Sequence, residues 1–213
     1  LSWLEDELQA AAAPTPASSG AAPTTLDLSN RPLTHASLRL LPGTLTCLDL
    51  TRCSMESLEA LARLPRLELL NVSYNRLASL DALQHSRGLK VLFARSNRIT
   101  SLAALESLPV LQSLDLECNA LDTLDALRPL WRLPRLAELR LRGNLLPLAA
   151  YRRACAQLPS LALLDGDPLS RGAAATAAGP AAQLATPTTM PHAGTAGVGM
   201  AAAAAAAAAR VTL

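Results

Sequence analysis

Three histidines (His35, His85, His192) and four cysteines (Cys47, Cys53, Cys118, Cys155) are the side chains best suited to acid–base, nucleophilic or metal chemistry in this sequence. Their spacing supports none of it. Zinc sites use ligands in close pairs such as CxxC, and no such pair occurs here. The histidines are far apart and read as solvated loop or convex-side residues. There is no glycine-rich phosphate loop, no GxSxG and no HExxH. The acidic pairs Glu5-Asp6 and Asp165/Asp167 read as a solvated helix start and a turn. The expectation is no catalytic residue, no metal, no cofactor and no disulfide framework, in a reducing compartment.

Asparagine is the residue whose spacing carries information. Asn75, Asn97, Asn119 and Asn144 recur at steps of 22, 22 and 25. A side-chain amide both donates and accepts, so it can satisfy backbone groups that face the interior where a chain leaves a strand. Stacked asparagines should form a ladder. Cys53 fits the same slot as a small buried residue, whereas Arg31 beside Asn30 marks a degenerate first unit.

The elements around those asparagines change period midway. In "LELLNVSYNRLASLDAL" (67–83) the pair Leu70 and Val72 steps by two, as in a strand, and the leucines that follow step by three, as in a tight helical turn. The strand leucines fall at Leu26, Leu48, Leu70, Leu92, Leu114 and Leu139. The second strand positions are Leu28, Leu50, Val72, Ala94, Leu116 and Leu141. Self-similarity at this period predicts an α/β solenoid of the leucine-rich-repeat kind. About six short parallel strands should line its concave face, with 3₁₀ or α turns on the convex face. Late prolines (Pro65, Pro109, Pro134) suit the ends of those turns. Pro129 and Trp131, in the 25-residue unit, should add a further helical turn. Tyr151, Ala154, Cys155 and Leu158 are spaced for one face of a C-terminal cap helix. Leu161, Leu164 and the turn Asp165-Gly166 should close it.

These units resemble the short, 22-residue class of leucine-rich repeats. The run Tyr151-Arg152 … Leu158-Pro159 … Leu161 … Leu164-Asp165-Gly166 is similar to that family's C-terminal cap, YRxxxxxLPxLxxLDG. The resemblance covers about residues 24 to 167. It implies protein binding without chemistry. Relatives of this kind include a regulatory subunit of type-one protein phosphatase, the leucine-rich light chain of axonemal outer-arm dynein, a spliceosomal A-prime protein and ciliary scaffolds.

Composition and charge leave room for one domain with tails. The organisation read here is an N-terminal helix over 1–13, a linker over 14–23, repeats over 24–144, a cap over 145–169 and a disordered alanine-rich tail over 170–213. Ser2 and Glu5 would form a capping box, with Trp3, Leu4 and Leu8 along one side of the first helix. The nine alanines 201–209 fall short of the ~20 residues that span a membrane, so no membrane contact is expected. A net charge of +2 gives no bulk attraction for nucleic acid.

Residues alternating with the inward leucines should line the concave face. Asp27 and Asp49 stand at its start. Leu69, Tyr74, Val91 and Phe93 make an apolar centre. Arg95, Glu117, Glu138, Arg140 and Arg142 form a charged rim, the arrangement expected of a protein interface. A second, basic row (Arg63, Arg66, Arg87, Lys90, Arg128, Arg132, Arg135) runs along the turns into successive strands and could meet a tubulin tail or a phosphorylated protein. The function read from this is a non-enzymatic protein-interaction scaffold without a small-molecule substrate. By the resemblance it belongs to a cytoplasmic, cytoskeletal assembly of a cilium or flagellum axoneme, with dynein, tubulin or other axonemal proteins as partners. The alternatives are a phosphatase regulatory subunit and an RNA-processing scaffold.

Overall fold

A computed structural model of the chain describes residues 24–169. The expected helix over 1–13, the linker over 14–23 and the tail over 170–213 lie outside the described residues.

Six three-residue strands stand side by side in one parallel sheet: β1 (Thr25–Asp27), β2 (Cys47–Asp49), β3 (Leu69–Asn71), β4 (Val91–Phe93), β5 (Ser113–Asp115) and β6 (Glu138–Arg140). Their register follows the columns read from the sequence. Leu26, Leu48, Leu70, Leu92, Leu114 and Leu139 pair in succession, and each is buried. Burial of a leucine contributes about 1.5–3 kcal/mol, and no single coil could bury its own row without the coils on either side.

The sheet extends beyond the expected six strands. β7 (Leu163–Leu164) runs parallel to β6, and β8 (Asp167–Pro168) folds back antiparallel on β7. Leu164 continues the leucine column, pairing with Leu139. The Asp165-Gly166 turn, with positive φ at both residues, then reverses the chain. That reversal ends the parallel stack.

On the opposite side lie 3₁₀ segments: Glu59–Arg63, Asp81–His85 and Ala103–Ser107. Leucines three apart, such as Leu58-Leu61-Leu64 and Leu102-Leu105-Leu108, fall on one edge of a three-residue turn, and all six are buried. In the first coil this place is taken by a short helix, α1 (His35–Leu38), whose Ser37 amide is capped by the Thr34 hydroxyl at 3.2 Å. Strands stack at about 4.8 Å, closer than the bulkier turns opposite them. The strand side is therefore the inside of the bend.

The longer unit forms one 3₁₀ segment, Leu124–Arg132, with Pro129 inside it. Its three extra residues displace a core position. Leu124 stands in the column of Leu58, Leu80 and Leu102, yet is 41% exposed, while Leu127 remains buried. The cap helix α2 (Leu148–Cys155) packs Tyr151 and Cys155 inward, and Leu158, Leu161 and Leu164 complete the seal; Ala154 is half-buried.

The strand exits repeat one turn. Asn30, Arg52, Tyr74, Ser96, Cys118 and Gly143, each the fourth residue after a strand leucine, all have φ between 54° and 75°. A side chain in this left-handed region costs roughly 1–2 kcal/mol. The following asparagine pins the turn. The amide group of Asn119 donates to the carbonyls of Ala94, Leu116 and Glu117 at 2.9, 3.1 and 3.3 Å, and its oxygen accepts the Ile99 amide at 3.1 Å. Asn75, Asn97 and Asn144 repeat this, each tying its own coil to the one before. The ladder therefore runs through the backbone of the preceding coil and not from amide to amide. Cys53 holds the slot with its thiol pointing at the Leu28 carbonyl at 3.1 Å, and its sulfur accepts from the Arg31 backbone.

Candidate partner-binding face

The middle column of the open sheet face reads Asp27, Asp49, Asn71, Phe93, Asp115 and Arg140. Four of these do the same local work. The side-chain oxygens of Asp27, Asp49, Asn71 and Asp115 accept the backbone N–H two residues on, at 2.8–3.1 Å. Such turns are a habit of Asp and Asn. At β4 the column gives up that bond for a phenylalanine, which the core does not use: Phe93 is only half-buried and stands outside the core cluster. Val91 beside it is also half-buried, and Tyr74, on the adjoining turn, is 44% exposed.

Leu69 behaves differently. It faces the same side, between Cys47 and Val91, but is 3% exposed and does not join the core cluster. Its neighbours on the inside of the bend cover it, so it supports the centre and offers little surface to a partner. Glu138 is likewise buried.

The charged rim is paired within itself. Arg95 meets Glu117 at 2.7 Å. Arg140 meets Glu138 at 2.9 Å and lies 4.0 Å from Asp115. Arg142 and Arg152 converge on Asp167 at 3.3 and 3.0 Å. Burial holds the carboxyls of Asp49 and Asp115 above the usual carboxylate range, despite hydrogen bonds that pull the other way. The guanidinium of Arg52 stacks over the Tyr74 ring at 4.9 Å, a contact worth roughly 0.5–1 kcal/mol at an exposed site.

The basic row of the convex edge is exposed but interrupted. Lys90 pairs with Glu68 at 2.7 Å and Arg128 with Asp125 at 2.9 Å. The coil leading into β5 puts Ser107, Val110 and Gln112 where Arg63, Arg66 and Lys90 stand in earlier coils.

Among the described residues no three His, Cys, Asp or Glu side chains form a group that could hold a metal ion, and no helix is long and apolar enough to cross a membrane. Cys47, Cys53, Cys118 and Cys155 are free thiols. Burial and, to a lesser degree, Asp165 push the Cys155 thiol up to about 12. Asp165, expected in a turn, is in that turn and buried. It accepts the Tyr151 hydroxyl at 2.6 Å and the amides of Leu141 and Arg142 at 2.7 and 3.2 Å.

Sequence reasoning named the columns but passed over Arg76 and Arg98, which flank the centre on its turn edge. Their separation of 22 residues was the available signal.

Residues 87–129 match the family model for leucine-rich repeats in two copies. No curated protein matches the sequence. Among solved structures, internalin C2 of Listeria monocytogenes is 26% identical with a TM-score of 0.58, covering 68% of this chain and 62% of its own. Internalin F of the same organism is 22% identical with a TM-score of 0.54, covering 66% of this chain, and this chain spans 47% of it. The Drosophila melanogaster SNF/U2A' complex gives 26% identity and a TM-score of 0.50, over 69% of this chain and 75% of that one.

Proposed function

We propose that this chain, whose fold is a leucine-rich-repeat solenoid, is a binding scaffold whose protein partner docks on the open sheet face, centred on Phe93. One observation carries the reading. At β4 a column that otherwise favours Asp or Asn gives up its local hydrogen bond and presents a phenylalanine, next to Val91 and Tyr74. An apolar centre inside a polar rim is how interfaces concentrate binding energy. The paired arginines Arg95 and Arg140 hold that rim in place, and Leu69 supports it from beneath.

The finer reading, a component of an axonemal assembly in the cytoskeleton, rests on the resemblance of the short repeats and the cap. The likeness to the SNF/U2A' complex favours a second reading, an RNA-processing scaffold, since there too the matched protein is part of a complex.

Affinity capture from native extract tests both. Wild type, Phe93→Ala, Tyr74→Ala and, as a convex control, Trp131→Ala are compared. A partner lost with the first two and kept with the third supports the face; equal capture by all four removes it. Recovery of dynein or tubulin, of spliceosomal proteins or of a phosphatase then decides between assemblies.

A further inference from the structure

The positive charge beside this centre is not balanced. Toward the first coils, Asp27 and Asp49 are held in their own turns, and toward the last coils Arg95 and Arg140 are neutralised by Glu117 and Glu138. The turn edge differs. Arg52 and Arg98 pair with no carboxylate among the described residues, and Arg76 reaches Glu56 only at 3.9 Å, with side chains 58% and 77% exposed. The amides of Arg76 and Arg98 donate to the carbonyls of Met55 and Leu77 at 2.8 Å, so these two residues sit on successive coils beside Tyr74.

One segment of the chain has the complementary chemistry. Residues 2–8, SWLEDEL, join Trp3, Leu4 and Leu8 to Glu5-Asp6-Glu7, and nowhere else in the sequence are two acidic residues adjacent. We propose that residues 2–8 dock in cis on this turn edge. Trp3 and Leu4 lie against Tyr74, Val91 and Phe93, and the acidic run faces Arg52, Arg76 and Arg98. The segment then occupies the docking centre until a partner displaces it. This rests on the reading of the centre as a docking surface.

The connection allows it. A coil of sixteen residues, the length of the 9–24 connection, has a root-mean-square reach of about 20 Å, and β4 lies about 15 Å from β1 at the spacing of parallel strands. Such a linker presents the segment at an effective concentration on the order of 1 mM, so even weak intrinsic affinity keeps it bound. A competing destination is the cavity of about 270 Å³ lined by Leu33, Leu38, Met55 and Glu56. Its one charged lining residue is Glu56, so it offers the Glu5-Asp6-Glu7 run no cation of its own.

Tryptophan fluorescence of the full chain tests the proposal, because the sequence has only Trp3 and Trp131. In Trp131→Phe, Trp3 is the sole reporter. The expected result is emission at shorter wavelength, and acrylamide quenching at least twofold weaker, than in a peptide of residues 1–13. Both should return to peptide values in Phe93→Ala, in Arg52→Glu/Arg98→Glu, and at about 1 M salt, where the screening length falls to roughly 3 Å. Tyr74→Ala serves as a second apolar variant should Phe93→Ala lower the melting temperature.

Emission equal to the free peptide overturns the proposal. So does protection that ignores the substitutions, which places the segment elsewhere, or protection lost on dilution, which assigns it to a second copy. Partner capture separates this from the reading beneath it. Capture abolished by Phe93→Ala alongside a solvent-exposed Trp3 keeps the docking face and removes only the segment. Increased capture on deletion of residues 1–13 supports both.

Discussion

Asp165 receives the Tyr151 hydroxyl on one carboxylate oxygen at 2.6 Å and the Leu141 amide on the other at 2.7 Å. It thus does for the last coil what asparagine does for the coils before it, and it fastens the cap helix to the stack. A hydrogen bond to a charged group contributes about 1.5–3 kcal/mol. Tyr151→Phe should lower unfolding stability by about that much, measured by denaturant titration, without changing the circular dichroism of the folded state. A loss below the error of the titration would show that the cap is held by its leucines alone.

The same cap makes the fold sensitive to alkali. Burial, followed by the bond to Asp165, raises the Tyr151 pKa above its ordinary 10.0, and burial raises Cys155 from 9.0 to about 12. In both groups the folded state holds its proton more tightly than the unfolded state. Their contribution to stability is complete below pH 9 and is lost as pH rises through the window from 9 upward. The melting temperature of the wild type should fall more steeply between pH 9 and 12 than that of Tyr151→Phe or Cys155→Ala. Parallel curves would count against this linkage.

Asn119 offers a test of the ladder. Asn119→Ala strands the buried Ile99 amide and removes donors from three carbonyls. Each buried group left unpaired costs roughly 1–3 kcal/mol, so a loss of about 2–4 kcal/mol is expected. Asn119→Cys should recover part of it, because Cys53 already fills this slot with a thiol donor at 3.1 Å from a carbonyl. Equal losses for the two variants would show that a thiol cannot stand in for the amide.

These asparagines were legible in the sequence because one residue type at one spacing answers one geometric need. The leucine columns were legible for the same reason. The left-handed turn before each asparagine was not. Arg52, Tyr74, Ser96 and Cys118 adopt it with side chains that do not advertise it, and only Asn30 and Gly143 do. The candidate face was half legible. Alternation placed Phe93 and Leu69 on the same side, but whether a residue there is covered depends on its neighbours in adjacent strands, and Leu69 lies under its own. Leu124 shows the same limit from the other direction. It sits in a core column, and a three-residue insertion turns it outward.

The carboxyl of Asp115 gives a prediction of the same sign as the alkaline one, at the acid end of the scale. Burial raises its pKa above 3.8 even though the Glu117 amide and Arg140 favour the charged form. The folded state therefore pays for the ionised carboxylate at neutral pH, and that cost disappears as pH falls below about 4. Asp115→Asn keeps an oxygen for the Glu117 amide, as Asn71 does for Ser73. The variant should melt slightly above the wild type at pH 7 and level with it at pH 3. A lower melting temperature at pH 7 would mean that attraction to Arg140 outweighs desolvation.

Gly143 and Cys118 are coupled through the turn row. A Cβ built at Gly143, whose φ is +75°, would lie 2.8 Å from the Cys118 sulfur and 3.2 Å from the Cys118 amide nitrogen. The left-handed backbone alone costs an alanine about 1–2 kcal/mol, as the other residues of the row already bear. The contact with sulfur comes on top of that. Gly143→Ala should therefore cost more in the wild-type background than in Cys118→Ala, where the sulfur is gone and only the backbone approach remains tight. A double-mutant cycle isolates the difference, which for touching groups is about 0.5–3 kcal/mol. If the two changes simply add, the sulfur swings aside at no cost, and the glycine is required by its backbone angle and not by its neighbour.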